Sequence, residues 1–358
     1  MPFPLDFDPD VDAPVFQDEL GPWLPEAIFD FHSHIFRAED APYAQRDAVD
    51  PSMPVVCAEY LIEDYLSAME ALFSGKGVHA LLFSTVDPEA SLRAQNDYVA
   101  EAVGGALALD GAHTRRLEGS RGLYSLMMSG LMDDAGEIEE EIRRGGHLGL
   151  KPYWSYVTTK AQADVTLEDM IPVGQRRAAE KLGLILMVHI PRLGRLADPV
   201  NVEGLARLCE ECPRAKVIMA HFGRSYFPEA IGDFRRLLKY ENLLVDFAMV
   251  QDWEVCEVLI DSFGPERILF GLDMPVAQEK GKLISANGQR HFFTKRVHPW
   301  SIHNSAGSYR MKCTYYAYEI IRAFKKASEK VGLGEEDVRK VFLGNALRVV
   351  GEVEEGMK

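Results

Sequence analysis

Residues 27–36 read AIFDFHSHIF, a short, mostly apolar run that ends in two histidines with one serine between them. In an extended strand alternate side chains share a face. His32 and His34 therefore project side by side, with Asp30 one layer below. Two neutral imidazoles on one wall make half of a metal site. The pair alone decides little, because ten histidines in 358 residues give such a spacing by chance often enough. What decides is the company it keeps.

Seven further apolar runs follow: VHALLFSTV (78–86), GLYSLMM (122–128), HLGLKPY (147–153), LILMVHI (184–190), KVIMAHF (216–222), LLVDFAMV (243–250) and RILFGLD (267–273). Most are too short for helices and too continuously apolar for one-sided strands, which is the pattern of buried parallel strands. Between them lie amphipathic helical patterns such as DDAGEIEEEIRRGG, MIPVGQRRAAEKLG and WEVCEVLIDSFG, several ending in the glycine that stops a helix. Eight strands alternating with helices predict an α/β fold, a (β/α)8 TIM barrel. Long excursions interrupt the rhythm at 35–77, after the first strand, and at 274–312, after the eighth. Both emerge at the C-terminal face, where barrel active sites sit. With no repeat or linker, the chain reads as one domain, 1–358, with its core at about 27–351.

Composition narrows the function. Hydrophobic residues make up 47% and charged residues 26%, ordinary values for a soluble globular protein. A net charge of -16 argues against nucleic-acid binding. No apolar stretch approaches a membrane span, and the acidic, Pro-rich start does not resemble a signal peptide. Cys57, Cys209, Cys212, Cys256 and Cys313 are few, scattered and odd in number, which suits a reducing cytoplasm. Cys209 and Cys212 fall on a helical pattern and are read as helix packing, since no second cysteine pair lies at zinc-finger spacing.

His189 ends the fifth run, His221 the sixth and Asp273 the eighth. With His32 and His34 they put four histidines and an aspartate at one end of one barrel. Such a cluster is costly to bury unless a cation compensates it. Here the sequence resembles the amidohydrolase superfamily. It is most similar to the branch holding aminocarboxymuconate-semialdehyde decarboxylase, resorcylate-type decarboxylases and small-lactone hydrolases. The resemblance runs from about residue 27 to 351 and rests on FDFHSH, GLKPY, LMVHIP, IMAHFG, ILFGLDMP and LGNALRVVG, in the family's order. It implies that His32, His34 and His189 are metal ligands and that Asp273 is the eighth-strand acid. His221 takes the place of the sixth-strand polar residue. GLD stands where many relatives have Gly-Ser-Asp, which leaves the acid in place.

Three histidines and a carboxylate hold one divalent metal ion, zinc in the first instance and manganese in the second, with a position left open. Asp273 would then take a proton from water, and His221 would serve as oxyanion partner or second acid–base group. Lys151 is open to three readings: a carboxylated bridge to a second metal, a substrate contact, or a plain strand-end lysine. Arg192 and Arg224 follow the fifth- and sixth-strand histidines and are placed to clamp a carboxylate. Tyr153, Trp154, Tyr156 and Trp300 are candidate aromatic walls. The 274–312 segment carries Lys280, Lys282, Arg290, Lys295, Arg296, Arg310 and Lys312 against Glu279 alone. It reads either as a lid that gathers an anion or as a loop balancing acids such as those in 35–70.

The expected function is hydrolysis of a C–O or C–N bond in a small, anionic, carboxylated substrate. Non-oxidative decarboxylation on the same metal is the alternative. An idle binding barrel or a nuclease is disfavoured by the intact ligand set and the acidic balance. Neither a nucleic-acid nor a membrane partner is expected; a homo-oligomer is left open.

Overall fold

The computed structural model describes residues 5–42, 54–108, 122–302 and 312–358. All eight expected strands are present: β1 (Ala27–His34), β2 (Gly77–Phe83), β3, β4 (Gly149–Lys151), β5 (Ile185–Val188), β6 (Lys216–Met219), β7 (Leu243–Asp246) and β8 (Ile268–Leu269). Strand β3 comes in two pieces, Leu123–Ser125 paired to β2 and Met127–Met128 paired to β4. Leu126 sits at the break, and its amide still reaches Leu82 O at 2.9 Å. Every pairing around the ring is parallel. The ring closes where the chain after β8 returns to β1: Phe31 N donates to Phe270 O (2.9 Å), Asp273 N to His32 O (2.6 Å) and His34 N to Met274 O (2.8 Å).

The helices stand where the amphipathic patterns place them, and their ends are capped as the sequence dictates. In α1 (Ala135–Gly145) the Asp134 carboxylate accepts from Gly136 N and Glu137 N; in α2 (Pro199–Glu211) Asp198 accepts from Val200 N; and in α3 (Trp253–Phe263) Asp252 accepts from Glu254 N and Val255 N. Cys209 packs inside α2 and Cys212 ends it, both as buried free thiols pushed up to about 12 by burial. No helix among the described residues is long and apolar enough to cross a membrane.

The excursion after β8 forms an antiparallel hairpin, β9 (Gly281–Ala286) and β10 (Gln289–Thr294). Its tip is Asn287-Gly288 with both φ angles positive, 54° and 67°, as a two-residue hairpin turn requires. The N-terminal segment anchors the base. Asp12 is fully buried; Lys280 Nζ donates to one carboxylate oxygen at 2.5 Å and Thr314 Oγ1 to the other at 2.8 Å.

Four of the segment's basic residues follow the charge-balancing reading. Lys280 pairs with Asp12, Lys282 with Glu319 (2.5 Å), Lys295 with Asp6 (2.7 Å) and Arg296 with Glu279 (3.5 Å). These acids come from the N-terminal segment, the helix Tyr316–Val331 and the segment itself. Arg310 lies outside the described residues, and Lys312 is exposed. Among the six described, Arg290 alone lines the central cavity.

Candidate metal centre

That cavity, open to solvent, lies over the carboxyl ends of the strands. His32, His34, Lys151, Tyr153, His189, His221 and Asp273 all line it. Arg192 and Arg224 do not, which corrects the arginine clamp. Arg192 Nε donates to Asp198 at 2.8 Å. Arg224 is buried behind the site, with Nη1 on Ile190 O and Pro191 O, both 3.2 Å away. Of the candidate aromatic walls only Tyr153 lines the cavity; Trp300 instead donates its indole N–H to Val55 O at 3.1 Å.

The histidine pair is presented by an irregularity in β1. The register to β2 shifts between Asp30 and Ser33. Asp30 holds the distortion: its buried carboxylate accepts from Ser33 Oγ (2.5 Å), Tyr65 OH (3.1 Å), His32 N (3.2 Å) and, across the barrel seam, Leu272 N (2.9 Å). Burial pushes this carboxyl up to about 7 in spite of those bonds.

Three imidazoles are tied back by their Nδ1 atoms. His34 donates to Ser84 O (2.8 Å) and His221 to Ala248 O (2.9 Å); carbonyls only accept, so Nδ1 carries the proton in each. His32 Nδ1 bonds the Asp246 carboxylate at 3.0 Å. The Nε2 lone pairs are thereby turned into the cavity. His34 Nε2 lies 3.2 Å and His32 Nε2 3.8 Å from Asp273 Oδ1. Burial holds His32, His189 and His221 below the usual imidazole range, His221 at about 3. Neutral imidazoles are the form that ligates metal.

Ligand atoms of His32, His221 and Asp273 lie within 4.8 Å of one another. The tightest group thus contains His221, which the sequence reading kept for proton transfer, in place of His34 and His189. His34 adjoins it through Asp273. His189 stands beside His221, ring centroids 5.3 Å apart, with Nε2 3.2 Å from Tyr153 OH. Its Nδ1 is buried and has no hydrogen-bond partner among the described residues. Imidazole lone pairs aimed at a carboxylate, acceptor against acceptor, and an orphaned imidazole nitrogen beside them fit a divalent cation. Lys151 is fully buried at the cavity floor; its Nζ lies 3.1 Å from His32 Nε2, and burial lowers its pKa to about 8.

The strand ends are strained where the site needs them. His221, Phe222, Gly223 and Arg224 form a left-handed turn, with φ of 55°, 46°, 60° and 59°. Met249 (59°) and Asp273 (68°), both lining the cavity, share that region. Each non-glycine residue there costs roughly 1–2 kcal/mol, and such strain clusters at functional sites.

Asp246 and Tyr226 belong to this site and were not singled out from the sequence, whereas Arg290 was named only as one charge of the basic 274–312 segment. Asp246 is signalled by LLVD, an apolar run ending in an acid. Tyr226 carries no local signal.

A (β/α)8 barrel with histidines and an aspartate at its strand ends defines a class of metal-dependent enzymes. The amidohydrolase family model matches residues 30–351, and the chain belongs to that family. No curated protein matches the chain. Among solved structures it is similar to a protein described as a 2-pyrone-4,6-dicarboxylic acid hydrolase from Pseudomonas putida (16% identity, 92% of this chain and 99% of that one, TM-score 0.51). It is also similar to a zinc-bound amidohydrolase from Burkholderia multivorans (14%, 91% and 99%, 0.56). A third is 5-carboxyvanillate decarboxylase from Novosphingobium aromaticivorans with manganese and 4-hydroxy-3-methoxy-5-nitrobenzoic acid (14%, 91% and 96%, 0.53). At these identities the likeness is one of fold.

Proposed function

We propose that the protein hydrolyses a C–O or C–N bond in a small anionic substrate, using one divalent metal held by His32, His34, His189, His221 and Asp273. The observation that carries this is the convergence of tied-back imidazoles on the Asp273 carboxylate at the floor of an open cavity. Zinc is the first choice of ion, as in the Burkholderia structure, and manganese the second. The metal, when bound, acidifies water and polarises a substrate oxygen.

The chain's own groups do the rest. Asp273 faces the cavity with its side chain 19% exposed, placed to accept a proton from water at a carboxylate oxygen and return it to the leaving group. Tyr153 presents a hydroxyl beside His189 and can donate to a substrate oxygen. Lys151 Nζ stands 3.1 Å from His32 Nε2 at the cavity floor, placed to contact a substrate oxygen. The free cysteines fit a cytosolic setting.

The test offers the metal-loaded protein carboxylated lactones and amides, and separately hydroxybenzoic acids, in ¹⁸O-water. Hydrolysis places one ¹⁸O in the product and consumes no carboxylate. Chelation should lower kcat at least ~100-fold and added zinc restore it. Release of CO₂ without label in the product would replace this reading with decarboxylation.

A further inference from the structure

Arg290, on β10, lines the same cavity as the metal ligands, half-buried. Its guanidinium carbon lies 4.1 Å from the centroid of Tyr226 and 4.4 Å from that of Phe292, and both rings also line the cavity. Tyr226 stands in turn 6.0 Å from the His221 ring. A second guanidinium, Arg195, lies 5.5 Å from Tyr226 and 4.7 Å from Phe227. Behind these stands Arg224.

Neither Arg195 nor Arg224 forms an ion pair among the described residues. Arg195 Nη1 and Arg224 Nε are buried without a hydrogen-bond partner there. Both residues have left-handed backbones, with φ of 57° and 59°. Burial lowers the affinity of Arg195 and of Arg290 for their protons, and the mutual repulsion of the three arginines adds to it. Like charges gathered beside aromatic faces, next to a cavity, lower the free energy of any anion that enters.

We propose that Arg290 and Tyr226 form a carboxylate subsite on the hairpin side of the cavity, backed by the field of Arg195 and Arg224. The substrate would then carry a carboxylate remote from the bond that reacts at the metal centre. A planar carboxylate suits a fork of donors steadied by two rings, which offers two parallel hydrogen bonds. The hairpin is accordingly the specificity element, acting through this one arginine. This deepens the hydrolase reading and rests on it for the reaction, though not for the binding.

The test is calorimetric titration of the metal-loaded full chain with isophthalate and with benzoate, which differ by one carboxylate. The wild type should bind isophthalate at least ~10-fold more tightly, the scale of one charge-assisted bidentate contact. R290Q should bring isophthalate down to the benzoate level, and R290K should recover only part, since an ammonium lacks the fork. Metal content and unfolding temperature, measured alongside, report that R290Q is folded. Equal binding of the two acids by the wild type, or a full preference retained in R290Q, would overturn the subsite. No bond is cut in these titrations. A preference that persists in a protein failing to hydrolyse anything removes the reaction assignment and leaves the subsite standing.

Discussion

Asp246 does not line the cavity, yet it orients two of the groups proposed to hold the metal. One carboxylate oxygen takes His32 Nδ1 at 3.0 Å; the other accepts from His221 N (2.9 Å) and Ala248 N (3.1 Å). It fixes the tautomer of one imidazole and the backbone of a second. Burial raises its pKa, and the His221 and Ala248 amides pull in the opposite direction. Carboxylates behind a metal-bound histidine are typically worth 10–100-fold in metal affinity. Asp246→Asn should therefore weaken zinc binding by ~10–100-fold in competition with a chromogenic chelator, while the circular dichroism spectrum stays unchanged. Wild-type affinity in that variant would reduce Asp246 to a packing residue.

At the scale of elements, the left-handed turn 221–224 joins a catalytic group to a tight packing contact. Gly223, φ +60°, has no room for a side chain: a Cβ there would meet Leu196 Cγ at 2.5 Å. Gly223→Ala combines a conformational cost of ~1–2 kcal/mol with overpacking of ~1–3 kcal/mol. In a chain of this size the unfolding midpoint should fall by roughly 4–8 °C. kcat should fall further than stability predicts, because the turn aims His221. Adding Leu196→Ala should relieve the overpacking and leave the conformational part, so recovery in a thermal melt should be partial.

Element-level features divide by how local their cause is. The eight strands, the helix caps and the five strand-end groups that line the cavity were readable because each is written in a few consecutive residues. LLVD ends on an acid in the same way, and Asn287-Gly288 is a hairpin signal within SANGQR. The break at Leu126 depends on which neighbour each half of β3 pairs with, a property of the closed ring. Arg290 enters the cavity only because the hairpin folds back over the mouth, and no local pattern encodes that. His221 joined the ligand group for a similar reason: Ala248, in the turn after β7, dictates its tautomer.

For the whole molecule, the question that sequence left open was charge. Counting residues gave the 274–312 segment a strong positive balance, but the partners are distant in sequence: Lys295 with Asp6 and Lys280 with Asp12. The Lys280–Asp12 pair is buried on both sides, at 3% and 0% exposure, so removing one partner strands the other. Asp12→Asn should cost ~3–5 kcal/mol in urea unfolding, and Asp12→Asn with Lys280→Met should regain most of it. An equally unstable double variant would show that the pair contributes shape and not charge balance. Salt dependence of substrate capture should now trace to Arg290 and its two neighbours alone.

The seam of the barrel also has a consequence in time. Leu272 reaches back 242 residues to Asp30, Lys280 268 residues to Asp12, and Thr314 302 residues to the same carboxylate. At ~5–20 residues per second of synthesis, the first gap alone lasts roughly 10–50 s. Throughout it, His32 and His34 exist on the ribosome without Asp273, and β1 is an open edge awaiting its neighbour. The five strand-end groups are together only once residue 273 has been made, and the nascent chain must keep its first strand soluble until then.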